Sequence, residues 1–185
     1  MRKYTTALSA AALVVSSAFT ASVFAADGTI TINGKITDTT CTISVDGGSN
    51  DATVTLPTVS STSLAASGQT AGATPFNISL SNCSGTSLNT ASTYFEPGAY
   101  VDSVTGRLNI DSTASDAATN VQVQLLNANM NAIVAGASVA NGQNDVPVDI
   151  SAGNGTLNYF AQYYATGAST AGSVTTQVDY TMTYQ

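Results

Sequence analysis

The constraint that most narrows what this chain can fold into is the two-residue alternation of its side chains. It is clearest at the C-terminus, where Val174, Thr176, Val178, Tyr180, Met182 and Tyr184 alternate with Thr175, Gln177, Asp179, Thr181 and Thr183. Period two places one set on each face of a strand, so this stretch reads as a half-buried strand. The same pattern recurs along the chain. Thr39–Val45 carries Cys41, Ile43 and Val45 on one face, and Phe76, Ile78 and Leu80 line another strand that ends near Cys83. Thr156–Ala165 sets Leu157, Tyr159, Ala161 and Tyr163 against Phe160 and Tyr164. Arg107–Ile110, Val121–Leu126, Asn131–Val134 and Val146–Ile150 are shorter strands, and Val54 and Leu56 start one that Pro57 confines to an edge or an end.

Helical periodicity is nearly absent. Ser60–Ala66 has one large apolar residue, Leu64, and supports no more than a short turn. Asp46-Gly47, Asn141-Gly142 and Asn154-Gly155 are turn dipeptides, because these residues tolerate positive φ. Ser84–Ser92 reads as a surface loop. Many short strands with Gly/Asn turns point to an all-β antiparallel sandwich or barrel.

Residues 1–25 read as a signal peptide. Arg2 and Lys3 precede the apolar stretch Ala7–Val15, and Val23-Phe24-Ala25 offers small residues where signal peptidase cuts. The apolar run is too short and too rich in Ser and Ala for a membrane span, so no stable membrane insertion is expected. Behind the cleavage point, Gly28, Ile30, Ile32, Gly34 and Ile36 alternate through an N-terminal strand that lies ahead of the first cysteine. A strand at a free terminus pairs within its own fold or with a neighbour's. The chain divides into the signal peptide at 1–25, an N-terminal extension at 26–36 and one domain at 37–185.

Past residue 25 there are two basic residues, Lys35 and Arg107, against 11 acidic ones. Nucleic acid is disfavoured as a partner, because phosphate contacts need clustered Lys and Arg. The two cysteines, Cys41 and Cys83, follow an export signal. An even pair in that setting points to a disulfide in an oxidising compartment, over two free buried thiols.

Catalysis finds little support. The chain has no histidine, which removes the usual general base and the commonest metal ligand. No metal site or cofactor is expected, since two cysteines without histidine make no ordinary zinc site. Asp145 and Asp149 on one strand would stand about 13 Å apart, too far for a carboxylate pair acting on one glycosidic bond. Asn77-Ile-Ser79, Asn82-Cys-Ser84 and Asn154-Gly-Thr156 match the glycosylation pattern at the frequency chance gives in so Asn- and Ser-rich a chain. The aromatic residues near the C-terminus read as core; Tyr94, Phe95 and Tyr100, around Pro97-Gly98, are the better candidates for exposure.

These residues together resemble the structural subunits of chaperone–usher fimbriae, close to the type 1 pilins. A signal peptide is followed by the Gly28-x-Ile30-x-Ile32-x-Gly34 arm. Cys41 comes soon after in Ile36-Thr-Asp-Thr-Thr-Cys41, and Cys83 closes Phe76-Asn-Ile-Ser-Leu-Ser-Asn-Cys83. Tyr163-Tyr-Ala-Thr-Gly167 precedes the last strand, which runs from Gly172 to a penultimate Tyr184. Gln162 departs from the basic residue that many relatives carry there.

The resemblance implies an immunoglobulin-like β-sandwich that lacks its final strand and is completed by donor-strand exchange. It implies a groove edge, also the chaperone contact, at Gly172, Val174, Val178, Tyr180, Met182 and Tyr184. Ile30 and Ile32 would fill pockets in the groove, Gly28 would sit where a side chain must be absent for exchange to begin, and Gly34 would lie at the far end. Implied partners are other copies or related pilins, a periplasmic chaperone and an outer-membrane usher. The implied destination is an extracellular fimbria on the bacterial surface that supports adhesion and biofilm formation. A tip subunit with carbohydrate-binding adhesin activity, and a free-standing secreted sandwich whose first strand pairs with its own body, are the alternatives.

Overall fold

The computed structural model describes residues 30–85, 89–137 and 142–185. The signal peptide and Gly28 lie outside the described residues. The chain divides into two units, Met1–Lys35 and Ile36–Gln185.

Among the described residues of the second unit, all regular structure is β except for one 3₁₀ turn. The strands are β1 (Thr40–Val45), β2 (Thr70–Ser84), β3 (Thr90–Phe95), β4 (Leu108–Asn109), β5 (Val121–Leu126), β6 (Val148–Asp149), β7 (Gly155–Ala165) and β8 (Tyr180–Tyr184). They form a five-stranded sheet, β1-β2-β7-β5-β4, and a three-stranded sheet, β6-β3-β8. Every ladder is antiparallel.

Alternation explains how the sheets pack. β2 and β7 run side by side with Phe76 opposite Tyr159 and Ile78 opposite Leu157, while β7 sets Ala161 against Leu125 of β5. These inward residues meet Ala91 and Phe95 of β3 and Ile150 in one core. Tyr159 anchors it, with its ring 5.4 Å from Phe76 and edge-on to Phe95 at 5.2 Å, arrangements that aromatic quadrupoles favour. A smaller cluster gathers Leu64, Ala118, Val121 and Ala165. Leu64 reaches it from the 3₁₀ turn Ser61–Leu64, whose cap is the Ser60 hydroxyl accepting from the Thr62 N–H.

The Cys41–Cys83 disulfide joins β1 to β2 across 42 positions. Strict alternation from Leu80 would turn Cys83 away from the core. A bulge corrects this: Thr42 pairs with Ser81 and Thr40 with Ser84, so two residues of β2 oppose Cys41 alone. Asn82 takes φ of 50° to make room, and the phase shift brings Cys83 onto the buried face.

Several sequence expectations change, among them Asn131–Val134, which forms no strand beyond an isolated bridge from Ala132 to Leu126. β3 falls partly in the stretch expected to be a loop at Ser84–Ser92, and Phe95, expected near the surface, is only 2% exposed. Its first four residues, Thr90–Thr93, are small, and Ala91, Ser92 and Thr93 are all buried, so it shows no apolar alternation. The last strand forms a ladder only over Tyr180–Tyr184, with 174–179 outside any ladder. Residues 52–60, where Val54 and Leu56 were to start a strand, likewise form no ladder.

Candidate functional site: an apolar groove between two open edges

The two segments without ladders face each other across a groove of about 840 Å³. One wall is 50–56 and the other is Val174–Tyr180 together with Met182. The floor is the core itself: Ile43, Val45, Phe76, Ile78, Phe95, Leu108, Val123, Leu125 and Ala161. Val54, Leu56, Val174, Val178, Tyr180 and Met182 are only partly buried as they pack onto it.

Main-chain direction decides what the groove can accept. Odd-numbered residues of the C-terminal segment turn their main chain away from it. The Thr175 carbonyl accepts from the Asp111 N–H at 2.7 Å, the Asp179 carbonyl accepts from the Glu96 N–H at 2.9 Å, and Gln185 exchanges two bonds with Thr90 at 3.0 Å. Even-numbered residues, 174 to 182, therefore aim their N–H and C=O groups along the open edge. Among the described residues, no backbone hydrogen bond joins 52–59 to 174–178. The walls are tied by a side chain, since the Tyr180 hydroxyl donates to the Asn50 carbonyl at 2.7 Å. Burial, then the nearby Asp51 carboxylate, raises the Tyr180 pKa and keeps this phenol protonated as a donor. An apolar trough flanked by unsatisfied main chain is the shape of a missing strand.

Of the C-terminal residues named from sequence, Val174, Val178, Tyr180 and Met182 line the groove. Gly172 and Tyr184 are not among its lining residues. Gly172 packs backbone against backbone: a Cβ there would stand 2.4 Å from the Ala118 nitrogen and 2.5 Å from the Asp116 oxygen. The neighbouring bonds from Ser173 N–H to Asp116 and from Ala118 N–H to Ser173 anchor the start of the segment. Tyr184 packs partly against the core, and burial raises its pKa despite a hydrogen bond with the Cys41 backbone. Sequence reasoning missed the 50–56 wall as a partner of the last strand. The alternation of Val54 and Leu56 was visible, but nothing local says which edge it faces.

In the N-terminal unit, Ile30 and Ile32 are 90% and 89% exposed, and nothing lies within 4 Å of a Cβ built on Gly34. In the second unit, Ile36 is 99% exposed. Residues 30–39 form no ladder, contrary to the expected N-terminal strand. Extended residues count as a strand only when a partner exchanges hydrogen bonds with them.

The acidic residues do not converge. Asp145 accepts from the Thr93 N–H and the Tyr159 hydroxyl, whereas Asp149 accepts from the Ser151 N–H. Arg107 lies on the far face of β4–β5, 4.0 Å above the Tyr164 ring, with its Nε donating to Gln122 at 2.7 Å. Gln162 donates to the Gln124 side chain at 2.9 Å. Among the described residues no group of three or more His, Cys, Asp or Glu could hold a metal, and no helix is long and apolar enough to cross a membrane.

Comparison with known proteins agrees with this architecture. The chain is 50% identical over 163 residues to the major fimbrial subunit SMF-1 of Stenotrophomonas maltophilia, covering 86% of this chain and 94% of that one. It is 47% identical over 176 residues to the F17 fimbrial protein of Escherichia coli, covering 93% and 95%. A subunit of a chaperone–usher pilus shares the immunoglobulin-like fold with a TM-score of 0.60 at 21% identity, over 86% of this chain and 96% of that one. Residues 56–185 match the family profile described as FimA, type-1 fimbrial protein, A. The chain belongs to this family of structural fimbrial subunits.

Proposed function

We propose that this pilin polymerises head to tail, with the arm of one copy, Gly28–Ile36, supplying the strand missing from the groove of the next. The observation that carries the reading is the groove itself, apolar on its floor and open along two main-chain edges, in a chain whose arm holds Ile30 and Ile32 about nine-tenths exposed. The lengths agree. Gly28, Ile30, Ile32, Gly34 and Ile36 span eight residue steps, as do Val174, Thr176, Val178, Tyr180 and Met182, about 27 Å for each extended segment. Two isoleucines moving from water to an apolar floor contribute about 1.5–3 kcal/mol each, and the backbone ladder adds to this. The contact joins unlike surfaces, so repetition gives an open filament.

An apolar groove with free strand edges invites aggregation. A periplasmic chaperone that contacts the Gly172–Tyr184 segment, followed by an outer-membrane usher, would keep it covered until the next arm arrives. The product would be a fimbria on the bacterial surface, serving adhesion and biofilm formation. The test replaces Ile30 and Ile32 by Asp. The variant should be recovered with its chaperone and form no filaments; normal filaments would refute the donor role.

A further inference from the structure

The three-stranded sheet ends in two edges that are finished in opposite ways. Even-numbered β3 residues bond β8, so residues 91, 93 and 95 face the other side. There β6 pairs with Ala91 through Val148 and then stops. Beyond it the chain cannot run alongside β3, because Pro147 lacks an N–H and Asn144 holds φ of 72°.

Side chains replace the absent strand. The Thr93 N–H donates to Asp145 Oδ2 at 2.7 Å, and Gln143 Nε2 donates to the Thr93 carbonyl at 2.6 Å. The Phe95 N–H donates to Gln143 Oε1 at 3.1 Å, and the Phe95 carbonyl accepts from the Gly136 N–H at 2.9 Å. A carboxamide sets an N–H donor and a C=O acceptor in one plane, as a peptide group does. Gln143 is 0% exposed and its own carbonyl accepts from the Val134 N–H at 3.0 Å. Asp145 is steadied by the Tyr159 hydroxyl at 2.8 Å.

We infer that Gln143 and Asp145 are specificity-determining residues: they close the second side of β3 at Thr93 and Phe95, so that among the described residues of β3 and β8 the main chain left open to an incoming arm is the one along the groove. The inference rests on the strand-addition reading. No donor strand can pair with Thr93 or Phe95 while the amide and the carboxylate hold those positions. An arm is thereby directed to the groove and away from the far side of β3.

The test uses the full chain carrying Ile30→Asp and Ile32→Asp, which leaves it without a competent arm of its own. The chain is refolded with excess labelled peptide of residues 27–36. With Gln143 and Asp145 intact, the expected ratio is one peptide per chain, with slow exchange of the Phe95 amide. Gln143→Met keeps the bulk and removes the amide. It should speed Phe95 exchange at least tenfold and raise the ratio above one. A ratio of one in that variant overturns the edge-closing role, whether or not exchange changes. A ratio of zero with Gln143 and Asp145 intact overturns strand addition itself, a distinct result. Should Gln143→Met not fold, Asp145→Ala at its half-buried position should raise the ratio in the same way, and a ratio of one there overturns the proposal.

Discussion

Truncating the arm's isoleucines should weaken the subunit joint by a calculable amount. Ile30 and Ile32 are 90% and 89% exposed in the free arm, so nearly their whole apolar surface is available to be buried in a groove floored by Phe76, Ile78, Val123 and Leu125. Ile→Ala removes three carbons, worth about 0.8 kcal/mol each when buried, or about 2.4 kcal/mol per site. The two sites occupy successive positions on one face, and treating them as additive gives about 5 kcal/mol. At about 1.4 kcal/mol per tenfold, that is a loss of three to four orders of magnitude in affinity. The assay is competition. Subunit refolded around a labelled peptide of residues 27–36 is challenged with unlabelled native or Ile30→Ala/Ile32→Ala peptide, and displacement is followed by fluorescence anisotropy. Single substitutions should each account for about half the loss in free energy. A double variant that competes within tenfold of the native peptide would refute the burial argument.

Cys41→Ser should lower stability by roughly 4 kcal/mol, the chain-entropy value for a loop of this size, and sharply reduce periplasmic yield; unchanged yield and denaturation midpoint would count against it. Tyr159→Phe removes the hydroxyl that donates to Asp145 and should cost about 1–2 kcal/mol in urea unfolding, with no loss if that bond is unimportant. Burial, reinforced by Asp145, raises the Tyr159 pKa far above its ordinary value. Its contribution is therefore complete below about pH 10 and declines as pH rises beyond it, so stability should fall in alkali, and less steeply in Tyr159→Phe. Gly172→Ala forces a Cβ into the Ala118 and Asp116 backbone and should destabilise by a few kcal/mol; a wild-type melting temperature would show that the segment shifts freely.

Strands with large apolar residues on one face were legible from sequence. β1, β5 and β7 lie within a residue or so of their alternation, and β2 contains Phe76–Leu80 within a longer strand. β3 was not legible, because it opens with the small residues Thr-Ala-Ser-Thr, of which Ala91, Ser92 and Thr93 are buried without any apolar alternation. The alternation at 174–179 and in the arm states a capacity to pair, and neither segment finds a ladder within the described chain. That mismatch is itself the strongest structural signal at the groove. The roles of Gln143 and Asp145 were beyond reach, since their bonds to β3 span 48 to 52 positions and follow no local period.

The central claim is that one copy's arm occupies another copy's groove. With the two eight-step segments aligned end to end, their midpoints Ile32 and Val178 are neighbours whether the strands run parallel or antiparallel. Residues directly opposed on adjacent strands have Cα atoms about 4.5–5.5 Å apart, within the Cα separations that a disulfide spans. Purified Ile32→Cys subunits mixed with Val178→Cys subunits under mild oxidation should give a covalent dimer joined through those two cysteines, identified by peptide mass mapping. Absence of that linkage in filaments that form normally would contradict the account.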